Sequence, residues 1–181
     1  MDFACNASAR LNCCSMRTEC EKSACHRKSR CGKKYVCKKA ERRYGLPLYY
    51  LDMVWHKSDR TNISREEFDQ RLCEILEKDR WIVDGNYLRT LEMRLNACDT
   101  VFFLDYPLEV CLQGVESRIG RQREDMPWVE TEFDQEFRQW ILDFPREQRP
   151  EICRLLEKYR EGRSIHIFHE RADADRFLYQ L

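Results

Sequence analysis

The sequence predicts an α/β fold: a doubly wound parallel sheet flanked by helices on both faces. Three observations carry that expectation. Short apolar runs alternate with helical segments from Tyr44 to the end, and several of those runs close on a carboxylate. The runs are continuously apolar rather than alternating, as strands covered on both faces require. A chain of 181 residues is long enough for one domain with a single core.

The first clear element is Leu46-Pro-Leu-Tyr-Tyr-Leu-Asp52, read as a buried strand ending in an acid. Ser64-Arg-Glu-Glu67 is a capping box, and Phe68, Leu72, Ile75 and Leu76 follow at helical spacing. Trp81-Ile-Val-Asp84 is a second strand, closed by the turn-forming Gly85-Asn86. A short helix is expected over 88–95. Thr100-Val-Phe-Phe-Leu-Asp105 is the clearest strand in the chain, and Pro107 suits the first position of the next helix. That helix carries Val110, Val115 and Ile119, and 122–129 reads as a charged loop. Helices are expected over 130–143 and 146–161, the first with Phe133, Phe137 and Trp140 as an apolar stripe. A last strand over Ser164–His169 and a terminal helix over 172–181 complete the pattern. No internal repeat and no low-complexity tract interrupts it.

Composition narrows the class. Hydrophobic residues make up 43% and aromatics 12%, which suits a globular protein and not a disordered one. Lys plus Arg equals Asp plus Glu at 32 each, so no net field draws the chain to nucleic acid or an acidic membrane. No apolar run approaches the roughly 20 residues that cross a bilayer, and no signal-peptide core opens the chain. A cytoplasmic protein is the resulting expectation.

Residues 1–43 break from this pattern and are read as a separate, aberrant segment ahead of the body at 44–181. Seven of the eleven cysteines lie there, and neither structural period is visible. Nothing in that stretch reads as a buried strand. A zinc site at Cys20, Cys25 and His26 is a weak reading, because no C-x-x-C pair occurs.

The genetic code offers a better account. In the reading phase one base later, Glu21 to His26 permit Lys-Lys-Val-Leu-Val-Ile, a strand. Arg27 to Tyr35 permit Gly-Ser-Pro-Gly-Ala-Gly-Lys-Ser-Thr, and Val36 to Ala40 permit Phe-Ala-Lys-Lys-Leu, a helix start. The middle piece is a G-x-x-x-x-G-K-[ST] phosphate loop between strand and helix, as its mechanism requires. The phase must return near Glu41–Arg43, since Tyr44 onward is coherent as written. Gly32 and Lys33 keep register with the loop glycine and lysine and are the expected nucleotide-binding residues. Lys34, however, replaces the hydroxyl that would hold magnesium, and Arg27, Lys28 and Arg30 replace small residues. The chain as written is expected to bind ATP poorly or not at all.

Five motifs add a family resemblance: Tyr44-Gly-Leu-Pro-Leu-Tyr-Tyr-Leu-Asp52, Arg65-Glu-Glu-Phe68, Trp81-Ile-Val-Asp-Gly-Asn-Tyr87, Asp99-Thr-Val-Phe-Phe-Leu-Asp105 and Phe144-Pro-Arg-Glu-Gln-Arg-Pro150. Over roughly residues 41–181 the chain resembles the DNA topology modulation proteins of the FlaR type, relatives of adenylate kinase. The resemblance implies a P-loop NTPase-like fold, here with the first strand and phosphate loop degraded. It implies ATP with Mg2+ as cofactors and phosphoryl transfer to a nucleotide or small metabolite. No residue in these motifs resembles a reader of DNA, so direct nucleic-acid binding is not expected.

Candidate site residues follow. Asp105 either holds magnesium beside a triphosphate or caps the following helix. Asp52 either orients the acceptor as a base or is a solvated turn residue. Asp84, Asn86 and Tyr87 either bind the acceptor or form a plain turn, with Gly85 permitting close backbone approach. Trp55 walls the acceptor pocket or packs in the core, and His56 follows it. Arg118, Arg121 and Arg123 resemble the lid arginines of nucleotide kinases, which offset charge on the phosphoryl group in flight. The bland alternative is a basic helix end. Arg146 and Arg149 offer phosphate contacts or surface ion pairs. The competing function is a non-enzymatic degenerate P-loop protein, a pseudokinase.

Overall fold

The computed structural model describes residues 22–27 and 33–180; of residues 23, 25–27 and 33–35 it describes the backbone alone. Five strands form one parallel sheet in the order β2-β3-β1-β4-β5. They are β1 (Lys22–Arg27), β2 (Leu48–Tyr50), β3 (Trp81–Asp84), β4 (Thr100–Leu104) and β5 (Ser164–Phe168). Among the described residues the α-helices are α1 (Lys33–Tyr44), α2 (Leu51–Trp55), α3 (Arg65–Leu76) and α4 (Leu91–Ala97). They continue with α5 (Leu108–Glu116), α6 (Gln135–Glu147), α7 (Arg149–Lys158) and α8 (Arg171–Gln180).

The period of two within each strand sorts the core into two layers. Trp81, Val83, Val101 and Phe103 face α3, α4 and α7, packing on Phe68, Leu72, Leu95, Ile152 and Leu155. Ile82, Phe102 and Leu104 face α1, α5 and α8, packing on Val36, Ala40, Cys111, Val115 and Leu178. Helix α6 joins the layers, with Ile141 in one and Phe144 in the other. Both faces of the sheet are thus covered, as the continuously apolar runs require.

The largest departure from expectation lies at the start. Lys22–Arg27, where no strand was legible, is the central strand. Its register runs Lys22↔Trp81 to Cys25↔Asp84 on one side and Ser23↔Thr100 to Arg27↔Leu104 on the other. Ala24 is fully buried, and α1 contributes Val36, Cys37 and Ala40 to the core. The reason is positional: two fully buried strands, β3 and β4, leave one slot of backbone partners between them. The cysteines assigned to a zinc site fall outside the described side chains, and no metal-holding cluster occurs among the described residues.

Smaller corrections concern boundaries. Strand β2 ends at Tyr50, because Leu51–Trp55 turns helical, so Asp52 sits in the first turn of α2 and not at a strand end. Leu88–Thr90 is a 3-10 turn preceding α4. Pro107 caps α5 from outside, with ψ of 151°, and α5 stops at Glu116. Arg118 and Ile119 therefore lie beyond the helix in a turn, and Arg121 follows in irregular chain. Helix α6 starts at Gln135 behind the Asp134 cap and runs through Pro145 to Glu147, leaving Phe133 ahead of it. No described helix is long and apolar enough to cross a membrane.

His166 in β5 stacks against Phe102 at 5.5 Å and meets Phe177 at 4.4 Å. Burial pushes its imidazole below the ordinary value of 6.5. The folded state therefore binds this proton less readily than the unfolded chain, and stability falls as pH drops below about 6.5. The substitution His166→Phe is expected to flatten this acid limb. Urea melts of both proteins at pH 5.5 and 7.5, values chosen roughly one unit either side of the imidazole midpoint, test the difference.

Candidate functional site

Because every strand runs the same way, Arg27, Tyr50, Asp84, Leu104 and Phe168 end at one edge. The chain leaves β1 for α1 on one face of the sheet and leaves β3 for α4 on the other. The connections part between β1 and β3, and open α/β sheets bind ligands in such a crevice. Asp84, 4% exposed, closes β3 there, opposite Cys25 of β1 and Tyr50 of β2. Asp52 and Asp84 thus share one side of the edge. Asp105 follows β4 on the other side of β1, two strand spacings across and three residues further along than Asp84.

The segment after β3 is held from beneath. Arg94, fully buried, donates from Nη1 to the Gly85 carbonyl at 2.9 Å and from Nη2 to that of Tyr87 at 2.7 Å. Its Nε reaches the Thr90 carbonyl at 3.3 Å. Three carbonyls of one loop are fixed by a single guanidinium. Sequence reasoning passed over Arg94, although it shares the buried face of α4 with Leu91 and Leu95. A cation on an apolar face was the available signal.

So fixed, Tyr87 donates its hydroxyl to Asp52 Oδ1 at 2.9 Å. Its ring lies 4.9 Å from Phe68 and 6.3 Å from Trp55, and Trp55 meets Phe68 edge-on at 5.4 Å. These rings, with Trp140, Arg65 and Arg89, line a cavity of about 340 Å³. Arg89 is oriented by a two-bond pair with Asp69, both bonds 2.7 Å. Asn86 borders the same cavity, and among the described residues neither its side-chain oxygen nor its nitrogen has a hydrogen-bond partner although both are buried. Of the expected acceptor residues, Asp52, Trp55, Asn86 and Tyr87 therefore come together, and Asp84 stands behind them. Trp55 both borders this cavity and packs on the core.

The expected phosphate side is arranged differently. Arg123, its side chain 8% exposed, pairs with Glu130 at 3.1 Å and Asp125 at 3.4 Å. It ties its own loop together. Arg118 donates from Nε to the Gly114 carbonyl at 2.6 Å, and Arg121 is exposed. The loop is moored to α1 by an ion pair between Glu124 and Lys38. Tyr50, beneath this loop, has a phenol pushed up by burial and by the nearby thiol and carboxylates of Cys37, Glu124, Asp125 and Glu41. Gly32 lies outside the described residues, and Lys33 is described only as the first backbone position of α1.

Asp105 is engaged by a partner that sequence spacing could not reveal, 44 positions away. Arg149 Nε lies 3.0 Å and 2.9 Å from its two oxygens, and Nη2 lies 2.8 Å from Oδ2. His169 Nδ1 approaches at 3.7 Å. The carboxylate in turn holds the Arg149 guanidinium above its ordinary value.

Gly85 makes the acceptor side sensitive to a single methyl group. A Cβ there would stand 2.6 Å from Leu51 Cβ and 2.7 Å from Leu51 Cδ1. Gly85→Ala is expected to push α2 off β3, costing about 1–3 kcal/mol as overpacking does. Urea denaturation measures the loss, and near-ultraviolet circular dichroism of Trp55 reports the shift of α2.

No protein-family profile matches the chain, and no curated protein does. Among solved structures, it is similar to a shikimate kinase from Bacteroides thetaiotaomicron, with a TM-score of 0.53 and 15% identity. That similarity covers 88% of this chain and 95% of the shikimate kinase chain. With the strand order 2-3-1-4-5 and helices on both faces, the chain has a P-loop kinase-like fold.

Proposed function

We propose that this chain is the body of an ATP-dependent phosphotransferase of the adenylate kinase type, crippled because its phosphate loop is spelled in the neighbouring reading phase. The single observation that carries the proposal is the place of β1. The sheet's central slot falls on residues 22–27, with α1 from residue 33. Those are the positions where the shifted phase permits an apolar strand, a phosphate loop and a helix start. Strands β3 and β4 on either side are buried at every position, so the slot calls for apolar residues. Lys-Ser-Ala-Cys-His-Arg supplies few, whereas positions 23–26 in the shifted phase permit Val-Leu-Val-Ile.

As written, the residues present do not fit ATP with magnesium. Positions 27–32 carry one glycine, Gly32, and three long cations, where a phosphate cradle needs bare backbone N–H groups. Both oxygens of Asp105, the expected magnesium ligand, face Arg149. In the corrected chain, the crevice carboxylate Asp84 is the better placed of the two beside the loop.

On the acceptor side this chain's own residues suffice for a binding role. Trp55, Phe68 and Tyr87 present aromatic faces, the buried Asn86 amide lacks partners, and Arg65 and Arg89 bring positive charge. This combination suits a small acceptor with a flat or apolar body and an anionic group. In this reading Asp52, which accepts the Tyr87 hydroxyl, takes the proton of an acceptor hydroxyl.

Two measurements test the proposal. Sequencing the DNA beneath codons 18–44 asks whether Arg27 to Tyr35 spell glycine and lysine in the neighbouring phase. A corrected protein, with residues 21–40 in that phase, is then compared with the written one by calorimetric titration of ATP with magnesium. It is expected to bind at least about 100-fold more tightly, roughly 2.8 kcal/mol. Equal binding by both chains sinks the reading.

A further inference from the structure

We propose that Asp105, Arg149 and His169 form an oxyanion-binding site at the carboxyl edge of β4 and β5, with Asp105 as the positioning carboxylate. The site takes a phosphate or phosphoryl group. It stands apart from the acceptor cavity and independently of how residues 27–35 are spelled, so its failure leaves the proposed function untouched.

Asp105 has a side chain only 6% exposed, and its backbone N–H is fixed by the Phe168 carbonyl of β5 at 2.8 Å. Its carboxylate therefore has one direction. Arg149 meets both oxygens through the Nε and Nη2 edge of its guanidinium. The Nη1 edge has no hydrogen bond to any described residue, and the side chain remains 42% exposed. A planar guanidinium gripped along one edge presents the other in a fixed orientation, which is what bidentate recognition of an oxyanion uses.

His169 adds a second donor. Its Nδ1 faces Asp105 Oδ2 at 3.7 Å while the ring stays 69% exposed, so Nε2 is the nitrogen left for a ligand. Its backbone is held as well: the N–H groups of His169 and Glu170 both donate to Asp173 Oδ2 at 2.9 Å. Two cationic or cation-capable groups from α7 and the end of β5 are thus aimed by one buried acid, at the edge where this fold meets its ligands.

The sign of one substitution separates positioning from bulk charge. Removing the negative charge of Asp105 would strengthen anion binding if net field were all that mattered. If Asp105 orients Arg149, Asp105→Asn weakens binding instead. The probes are inorganic phosphate and pyrophosphate, titrated into the chain as written, followed by calorimetry and by the His169 ring resonances. Expected losses are at least about tenfold for Arg149→Gln and about threefold for His169→Gln, within the range of single charge-assisted hydrogen bonds. Asp105→Asn is expected to lose roughly fivefold or more on the same scale. Thermal melting checks that each variant folds. Should Asp105→Asn unfold, Arg149→Lys carries the test, since a lysine keeps the charge and lacks the fork. Binding unchanged or tightened in Asp105→Asn overturns the proposal. So does unchanged binding in both Arg149→Lys and His169→Gln.

Discussion

The pairing of β1 with β3 on one side and β4 on the other is the constraint on which the rest depends. Without that strand the sheet divides into two pieces, one of two strands and one of two, each with an open edge. With it, the carboxyl ends of five strands fall on one rim, and every residue of functional interest lies on or just beyond that rim. The same strand also fixes the layer order, since α1 must leave it toward the opposite face from α4.

Two buried groups convert this frame into local geometry. Arg94 acts from below, holding the carbonyls of Gly85, Tyr87 and Thr90, and so sets where the Tyr87 hydroxyl meets Asp52. Buried carbonyls left without donors each cost about 1–3 kcal/mol, so the loop has little freedom to rearrange around it. Asp105 acts from the far side of β1, aiming Arg149 along the rim. One side of the rim carries the aromatic-lined cavity and the other the Asp105–Arg149 pair.

Much of this was legible in the sequence. Trp81–Asp84 and Thr100–Leu104 are continuously apolar and appear as strands, and Ser64 caps α3 as its box pattern required. Trp55, Asn86 and Tyr87, singled out by their places near strand ends, border one cavity, and Asp52 joins them through the Tyr87 hydroxyl. What was illegible has physical causes. Lys22–Arg27 has no apolar period, and only its neighbours' demand for backbone partners reveals it as a strand. The helix expected to stop at 143 runs on through Pro145 to Glu147, because Ile141 and Phe144 are both fully buried and hold its last turns. Arg123 resembled a ligand arginine, but Glu130 and Asp125 lie within one loop's reach and claim it. Pairings such as Arg149 with Asp105 span distances that no local pattern encodes.

The ion pair between Lys38 and Glu124 carries a consequence of its own. In the neighbouring reading phase position 38 also permits lysine, so the mooring of the 118–130 loop to α1 tolerates a slip of one base. The glycines permitted at 27 and 30 do not, since arginines stand there as written. A slip of that kind would leave the door hinged and latched while filling the chamber behind it.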